Sequence, residues 1–140
     1  MIAVEFAGPD LVGRTRRVFE ALAGGDFDAV LEFFHADAVW ESEVLETRFE
    51  GIAAIRDFFG RWSAAYASFE TRAEDVRHVG NGIVLCVFTN ESRPAGADVE
   101  PRLRFALVIA WVDGLVHRVV GYEDVDRAGA DATHLATQTR

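Results

Sequence analysis

The chain has a single cysteine, Cys86, among 140 residues, so no internal disulfide can form. Cys86 sits inside the apolar run Ile83–Phe88, which points to a buried, inert thiol rather than a nucleophile. Positive charge is scarce: 14 Lys and Arg oppose 23 Asp and Glu, for a formal net charge of −9. Apart from Arg16-Arg17 the basic residues form no run, which argues against nucleic acid as a partner and against an anionic membrane surface. No stretch approaches the roughly 18 to 20 apolar residues that span a bilayer. Met1–Gly8 lacks a basic n-region and carries Glu5 where a signal peptide is apolar, so a cytoplasmic protein is expected. The histidines His35, His78, His117 and His134 are scattered, and there is no CxxC, nucleophile elbow or phosphate-cradling glycine loop. Neither a metal nor a cofactor is expected.

What the chain does have is apolar and aromatic mass. Half of its residues are hydrophobic, and 11 phenylalanines are joined by three tryptophans, enough to fill a core or line a cavity. Asp10 is placed to cap a first helix that carries Leu11, Thr15, Val18 and Leu22 on one face and stops at Gly24-Gly25. Asp26 caps a short second helix bearing Phe27, Val30, Leu31 and Phe34, and a brief strand follows over Val39–Glu43. From Gly51 to Tyr66 the apolar residues Ile52, Ile55, Phe59, Trp62 and Tyr66 step by three and four, which predicts a long amphipathic helix. Four strands come next, over Phe69–Val79, Ile83–Glu91, Arg102–Val112 and Leu115–Glu123. Gly80-Asn81-Gly82 and Asp113-Gly114 supply two tight hairpin turns.

This order predicts an α+β domain: a cone-shaped curled antiparallel sheet wrapped around a long helix, with two further N-terminal helices and an apolar pocket. One domain is expected over 1–140, its core about residues 9–124, with 125–140 a short helix fraying into a loose tail.

Three stretches carry a family resemblance: Ala23-Gly24-Gly25-Asp26-Phe27-Asp28-Ala29-Val30, Phe34-His35-Ala36-Asp37-Ala38-Val39-Trp40, and Phe49 through Phe59. With Asp113-Gly114-Leu115-Val116 and Tyr122-Glu123-Asp124, the series resembles SnoaL-like, nuclear transport factor 2-like proteins over roughly residues 10 to 125. The resemblance implies the cone fold, which hosts cyclases, isomerases, hydrolases and non-catalytic binders. Laid on ketosteroid isomerases, this chain puts Ser42 at the general base, Val18 at the oxyanion-hole tyrosine and Leu107 near the protonated aspartate. None of the three can do that chemistry. Laid on limonene-epoxide hydrolases, Gly121 stands about where their catalytic aspartate does. The polyketide cyclases of the family use a pocket aspartate and a histidine, and His117 is the available histidine.

The strand register implied by the resemblance turns Trp40 and Ser42 inward, with Glu41 and Glu43 outward, and on the last strand His117, Val119, Gly121 and Glu123. The preceding strand contributes Phe105, Leu107, Ile109 and Trp111, and the long helix Phe58, Phe59 and Trp62. Expected ligand-binding residues are therefore Trp40, Ser42, Phe58, Phe59, Trp62, Phe105, Leu107 and Val119. His117 is the expected acid–base group, its intrinsic pKa lying nearest neutrality, with Glu123 or Ser42 orienting a substrate. Glu41, Glu43, Glu46 and Glu50 read as a solvated acidic loop. The reading is a protein that binds, or acts on, a small, mostly apolar molecule, any chemistry being acid–base and of the isomerase, cyclase or hydrolyase type. The alternative is a non-catalytic ligand binder or a dimeric interaction module. A homodimer is expected, because Ile83, Leu85 and Val87 alternate with Val84, Cys86 and Phe88 and make the sheet apolar on both faces.

Overall fold

A computed structural model describes residues 10–43, 46–64, 66–94 and 102–137, and side chains at 10–43, 46–61, 73–89 and 104–137. Helices α1 (Leu11–Ala23) and α2 (Phe27–Leu31) begin where the sequence places their caps. The Asp10 carboxylate accepts from the Gly13 N–H at 2.9 Å and that of Asp26 from the Ala29 N–H at 3.1 Å, each satisfying a first-turn donor that has no partner within its helix. Strands β1 (Phe34–Ser42) and β2 (Thr47–Glu50), then helix α3 (Ile52–Ala64), come next. The chain continues through β3 (Tyr66–Gly80), β4 (Ile83–Pro94), β5 (Arg102–Val112) and β6 (Leu115–Tyr122) to helix α4 (Val125–Thr137).

The six strands form one curled, unclosed sheet in the order β2-β1-β6-β5-β4-β3. β1 and β6 run parallel and every other neighbouring pair antiparallel. In both hairpin turns two consecutive residues are left-handed, Asn81 and Gly82 (φ 51° and 80°) and Asp113 and Gly114 (φ 51° and 83°), the twist that closes a two-residue hairpin.

The concave face of the sheet carries Val84 and Cys86 of β4, Leu107, Ile109 and Trp111 of β5, and Val116 and Val119 of β6. These pack against Leu11, Val18, Phe19 and Leu22 of α1, Val30 and Leu31 of α2, and Ile55 and Phe59 of α3. Deep in this layer the Trp111 indole N–H donates to the Thr15 hydroxyl at 3.1 Å, joining the only buried polar side chain among the described residues to the sheet.

The convex face is also apolar, with Ile83, Leu85, Ala106, Val108, Val120 and Tyr122, and here the structure departs from expectation. Residues 125–137, expected as a short helix fraying into a loose tail, form a 13-residue helix whose Ala128, Ala132 and Ala136 pack on that face. Ile83 and Leu85, two of the residues behind the expected homodimer, are thus covered by the chain's own last helix. β1 also starts at Phe34 rather than Val39, because Phe34 pairs with Val116 and the Val116 N–H donates to Phe33 O at 2.8 Å. Both are long-range pairings that a local pattern does not contain. No described helix is long and apolar enough to cross a membrane.

Cys86 is fully buried, and loss of hydration pushes its thiol up to about 12, with Arg16 pulling weakly the other way. The thiolate is the reactive form, so the native protein should not react with a disulfide reagent at pH 8. Full titration of the thiol should appear once denaturant is added. Rapid reaction of the folded chain would place Cys86 outside the core.

Candidate functional site

The interior of the cone holds a cavity of about 10 Å³, room for one water molecule at most. α1 contributes Val18, Phe19 and Leu22, α2 contributes Val30, and β1 contributes Phe34 and Trp40. Leu107 and Ile109 of β5 and Val116 and Val119 of β6 complete the wall. Every one of these side chains is aliphatic or aromatic. An isolated charge there would lose its hydration without a partner, so the lining suits neutral, apolar matter.

Around the cavity the rings form a connected array. Trp40 lies parallel to Phe34, with centroids 6.3 Å apart and planes 6° apart, and meets Phe59 edge-on at 5.2 Å and 89°. Phe59 also contacts Phe27 at 5.3 Å. On its other side Trp40 approaches Phe58 at 6.1 Å, and Phe58 stacks on Phe49 of β2 at 4.4 Å and 18°. The short β2 strand holds Phe49 opposite Trp40 in the β1–β2 pairing, which is why these rings converge.

Of the residues expected at the site, Trp40, Leu107 and Val119 line the cavity, and Phe58 and Phe59 back the Trp40 ring. Phe105 is half-buried against Phe88, with centroids 5.8 Å apart. The Trp62 side chain lies outside the described residues. Ser42 pairs with Thr47 and Gly121 at the far end of β1, beside a shallow groove of about 270 Å³ that it shares with Glu41, Glu43, Glu46, Thr47 and Arg48. That groove is separate from the apolar cavity. Glu123 follows the last residue of β6 and is exposed.

His117 requires a correction. Counting back by twos from Val119 turns it inward, but the inward pair is Val119 and Val116. Ala110 pairs with Arg118 and Trp111 with Val116, so His117 is the extra residue of a β-bulge and the alternation changes phase there. Across the parallel seam, Phe34 pairs with Val116 and Val39 with Arg118, so β1 is irregular at the same level. The half-buried His117 ring stacks on His35, centroids 4.3 Å apart and planes 26° apart, and does not line the cavity. Glu41, by contrast, points outward as expected and accepts from Arg118 at 3.0 and 3.2 Å.

Val30, Phe34 and Val116, together with Val18, Phe19 and Leu22 of α1, are the lining residues outside the set expected to face the pocket. The stripe on α1 is plain in the sequence, but a stripe that lines a cavity and one that fills a core have the same spacing. Among the described residues no group of three or more His, Cys, Asp or Glu side chains is placed to hold a metal ion.

A curled sheet, with helices over its concave face and an apolar interior between, defines a nuclear transport factor 2-like α+β cone. Solved structures agree on the fold. An NTF2-like protein of unknown function from Burkholderia pseudomallei superposes with a TM-score of 0.75 at 16% identity, over 94% of this chain and 100% of that one. TerC, co-crystallised with polyporic acid, gives a TM-score of 0.73 at 15% identity, over 89% of this chain and 98% of that one. A hypothetical protein with a ketosteroid isomerase-like fold from Catenulispora acidiphila, in complex with trimethylamine, gives 0.73 at 14% identity, over 94% and 98%. The SnoaL-like domain family matches residues 15–119, and the chain belongs to that family. No curated protein matches it in sequence.

Proposed function

We propose that this SnoaL-like protein binds a small, neutral, mostly apolar molecule in the interior of its cone and holds it there without acid–base chemistry. The observation that carries this reading is the lining itself: ten described residues, none of them able to take up or release a proton near neutral pH. General acid–base catalysis needs a titratable group within hydrogen-bond reach of the reacting atom. Fold relatives co-crystallised with small molecules, polyporic acid in TerC among them, support a ligand-holding interior. The alternative is conversion by His117 with Glu123, and it requires the substrate to reach beyond the lining described above.

N-phenyl-1-naphthylamine, neutral and fluorescent in apolar surroundings, tests the choice. Saturable one-to-one binding with an affinity flat from pH 5.5 to 8 is expected, since no lining group titrates. An affinity that follows a single titration in that range and flattens in His117→Gln would move the assignment to the acid–base reading. Absence of saturable binding would remove the ligand reading altogether.

A further inference from the structure

We propose that Asn81 is a self-modification site: Gly82 N attacks the Asn81 side-chain amide with His78 as the base, and loss of that amide unlatches the end of α4. This chemistry is independent of what the cone holds. In the turn between β3 and β4 the Gly82 N–H donates to His78 Nε2 at 3.2 Å, and a ring nitrogen that accepts carries no proton. The imidazole thus sits on the one proton whose removal makes Gly82 N a nucleophile. Gly82 is also held from its other end, where its O accepts from the Trp111 N–H at 2.9 Å. Only glycine fits there, since a Cβ would lie 2.4 Å from Trp111 O, and glycine leaves its nitrogen unscreened. Asn81 is exposed, so water reaches the reacting atoms.

The Asn81 amide does something the turn itself does not require. At the other tight hairpin Asp113 takes the same φ of 51° before Gly114, so an acid serves that backbone equally well. At Asn81 the Nδ2 group instead donates across to Ala136 O, near the C-terminal end of α4. Departure of that nitrogen breaks the bond outright.

The Gly82 N–H proton passes to His78 Nε2 as the nitrogen bonds to Asn81 Cγ, closing a succinimide ring. The Cγ–Nδ2 bond breaks, and the amide nitrogen leaves as ammonia with the proton that His78 carries. One water then opens the ring at either carbonyl, giving aspartate or isoaspartate at position 81. A carboxylate has no hydrogen to donate, so two acceptors then face each other at Ala136 O. The helix end cannot relatch, and the change is one-way.

The test incubates the folded full chain at neutral pH and follows, by peptide mass spectrometry, the amide-to-acid mass rise at position 81. Asn90, the only other asparagine of the chain, precedes Glu91 and is the internal control. Position 81 should convert while Asn90 keeps its amide. Asp113-Gly114 has no amide to lose, so the mass rise cannot come from there. His78→Gln should slow conversion about a hundredfold, the low end of what a positioned base contributes. His78→Ala should do the same, so the test survives if one variant fails to fold. In urea the wild type and both variants should convert alike, because the strand no longer brings the imidazole to Gly82 N. Asn81→Asp reproduces one product and should quicken amide exchange in the last turn of α4 about fivefold, the scale of one hydrogen bond. Conversion at 81 no faster than at Asn90, or unchanged in both His78 variants, would overturn the proposal. An Asn81→Asp chain whose helix end exchanges at the wild-type rate would overturn the unlatching.

Discussion

Gly82→Ala should cost about 3 kcal/mol or more of folding stability and lower the melting temperature by about 10 °C, far above the usual effect of adding one methyl group. Gly82 is the second central residue of the β3–β4 turn, at φ 80°. Alanine in that region costs about 1 to 2 kcal/mol by itself. A Cβ at Gly82 would also lie 2.4 Å from the backbone oxygen of Trp111, a contact real Cβ atoms do not make. The neighbour cannot yield easily, because the Trp111 N–H donates to Gly82 O at 2.9 Å and the Trp111 side chain is 3% exposed in the core. Separating the two backbones loses that hydrogen bond, worth about 1 kcal/mol, and disturbs the Trp111–Thr15 contact below it. Gly25→Ala is the control: it has a similar φ of 75° but nothing within 4 Å of the added Cβ, so only the conformational cost of about 1 to 2 kcal/mol should appear. Urea unfolding of both variants separates the two costs. Equal losses would mean that the close approach to β5 contributes nothing.

That turn also shows which parts of the fold were legible. Asn-Gly and Asp-Gly between apolar strands have one common solution, a tight hairpin, and both form as read. The two capping aspartates and the three-and-four spacing of α3 are equally local signals, and the structure follows them except at Tyr66, which opens β3 instead of ending the helix. Elements defined by distant partners were not legible. The strand β2 has no pattern of its own, being only 4 residues that lie antiparallel to β1. The early part of β1 owes its conformation to β6, which is 82 positions away at the Phe34–Val116 pair (116 − 34).

The candidate site divides along the same line. Trp40, Leu107 and Val119 were placed inward by alternation, and alternation holds wherever the ladder is regular. It fails at His117, since a bulge adds one residue and reverses the phase of everything beyond it. No residue type marks that bulge: Leu115-Val116-His117-Arg118 reads as ordinary strand. The consequence for function is large. The two titratable side chains assigned to the pocket both lie off its lining, His117 stacked on His35 and Glu123 exposed past the end of β6, and Val116 stands on the wall instead.

Ala132→Asp should release α4 from the sheet, costing about 4 kcal/mol or more and raising the apparent mass in sedimentation above that of the wild-type chain. Ala132 is 0% exposed, between Ala128 and Ala136 on the helix face laid against Ile83, Leu85, Val108 and Val120. Small side chains let the helix approach closely, which leaves no space for a carboxylate and no water to solvate one. The Asn81 side-chain amide also donates to Ala136 O near the end of the helix. The Tyr122 hydroxyl donates to Asp131 at 2.8 Å, and burial, then this bond, pushes the phenol above its ordinary range and keeps it a neutral donor. The Arg127–Glu43 pair at 3.3 Å lies open to solvent, where such pairs contribute little. Once the alanine face is lost, the Tyr122 latch, the bond from the Asn81 amide to Ala136 O and one screened ion pair still reach the helix, too little to hold it against a buried carboxylate. The strip it leaves behind is apolar, the kind of surface that finds a second copy. Ala130→Asp places the same charge on the exposed side of the same helix and should change stability by no more than about 0.5 kcal/mol. If Ala132→Asp unfolds at the wild-type midpoint and sediments at the wild-type mass, the helix is not what covers the convex face. The apolar alternation of β4 would then again call for a partner subunit.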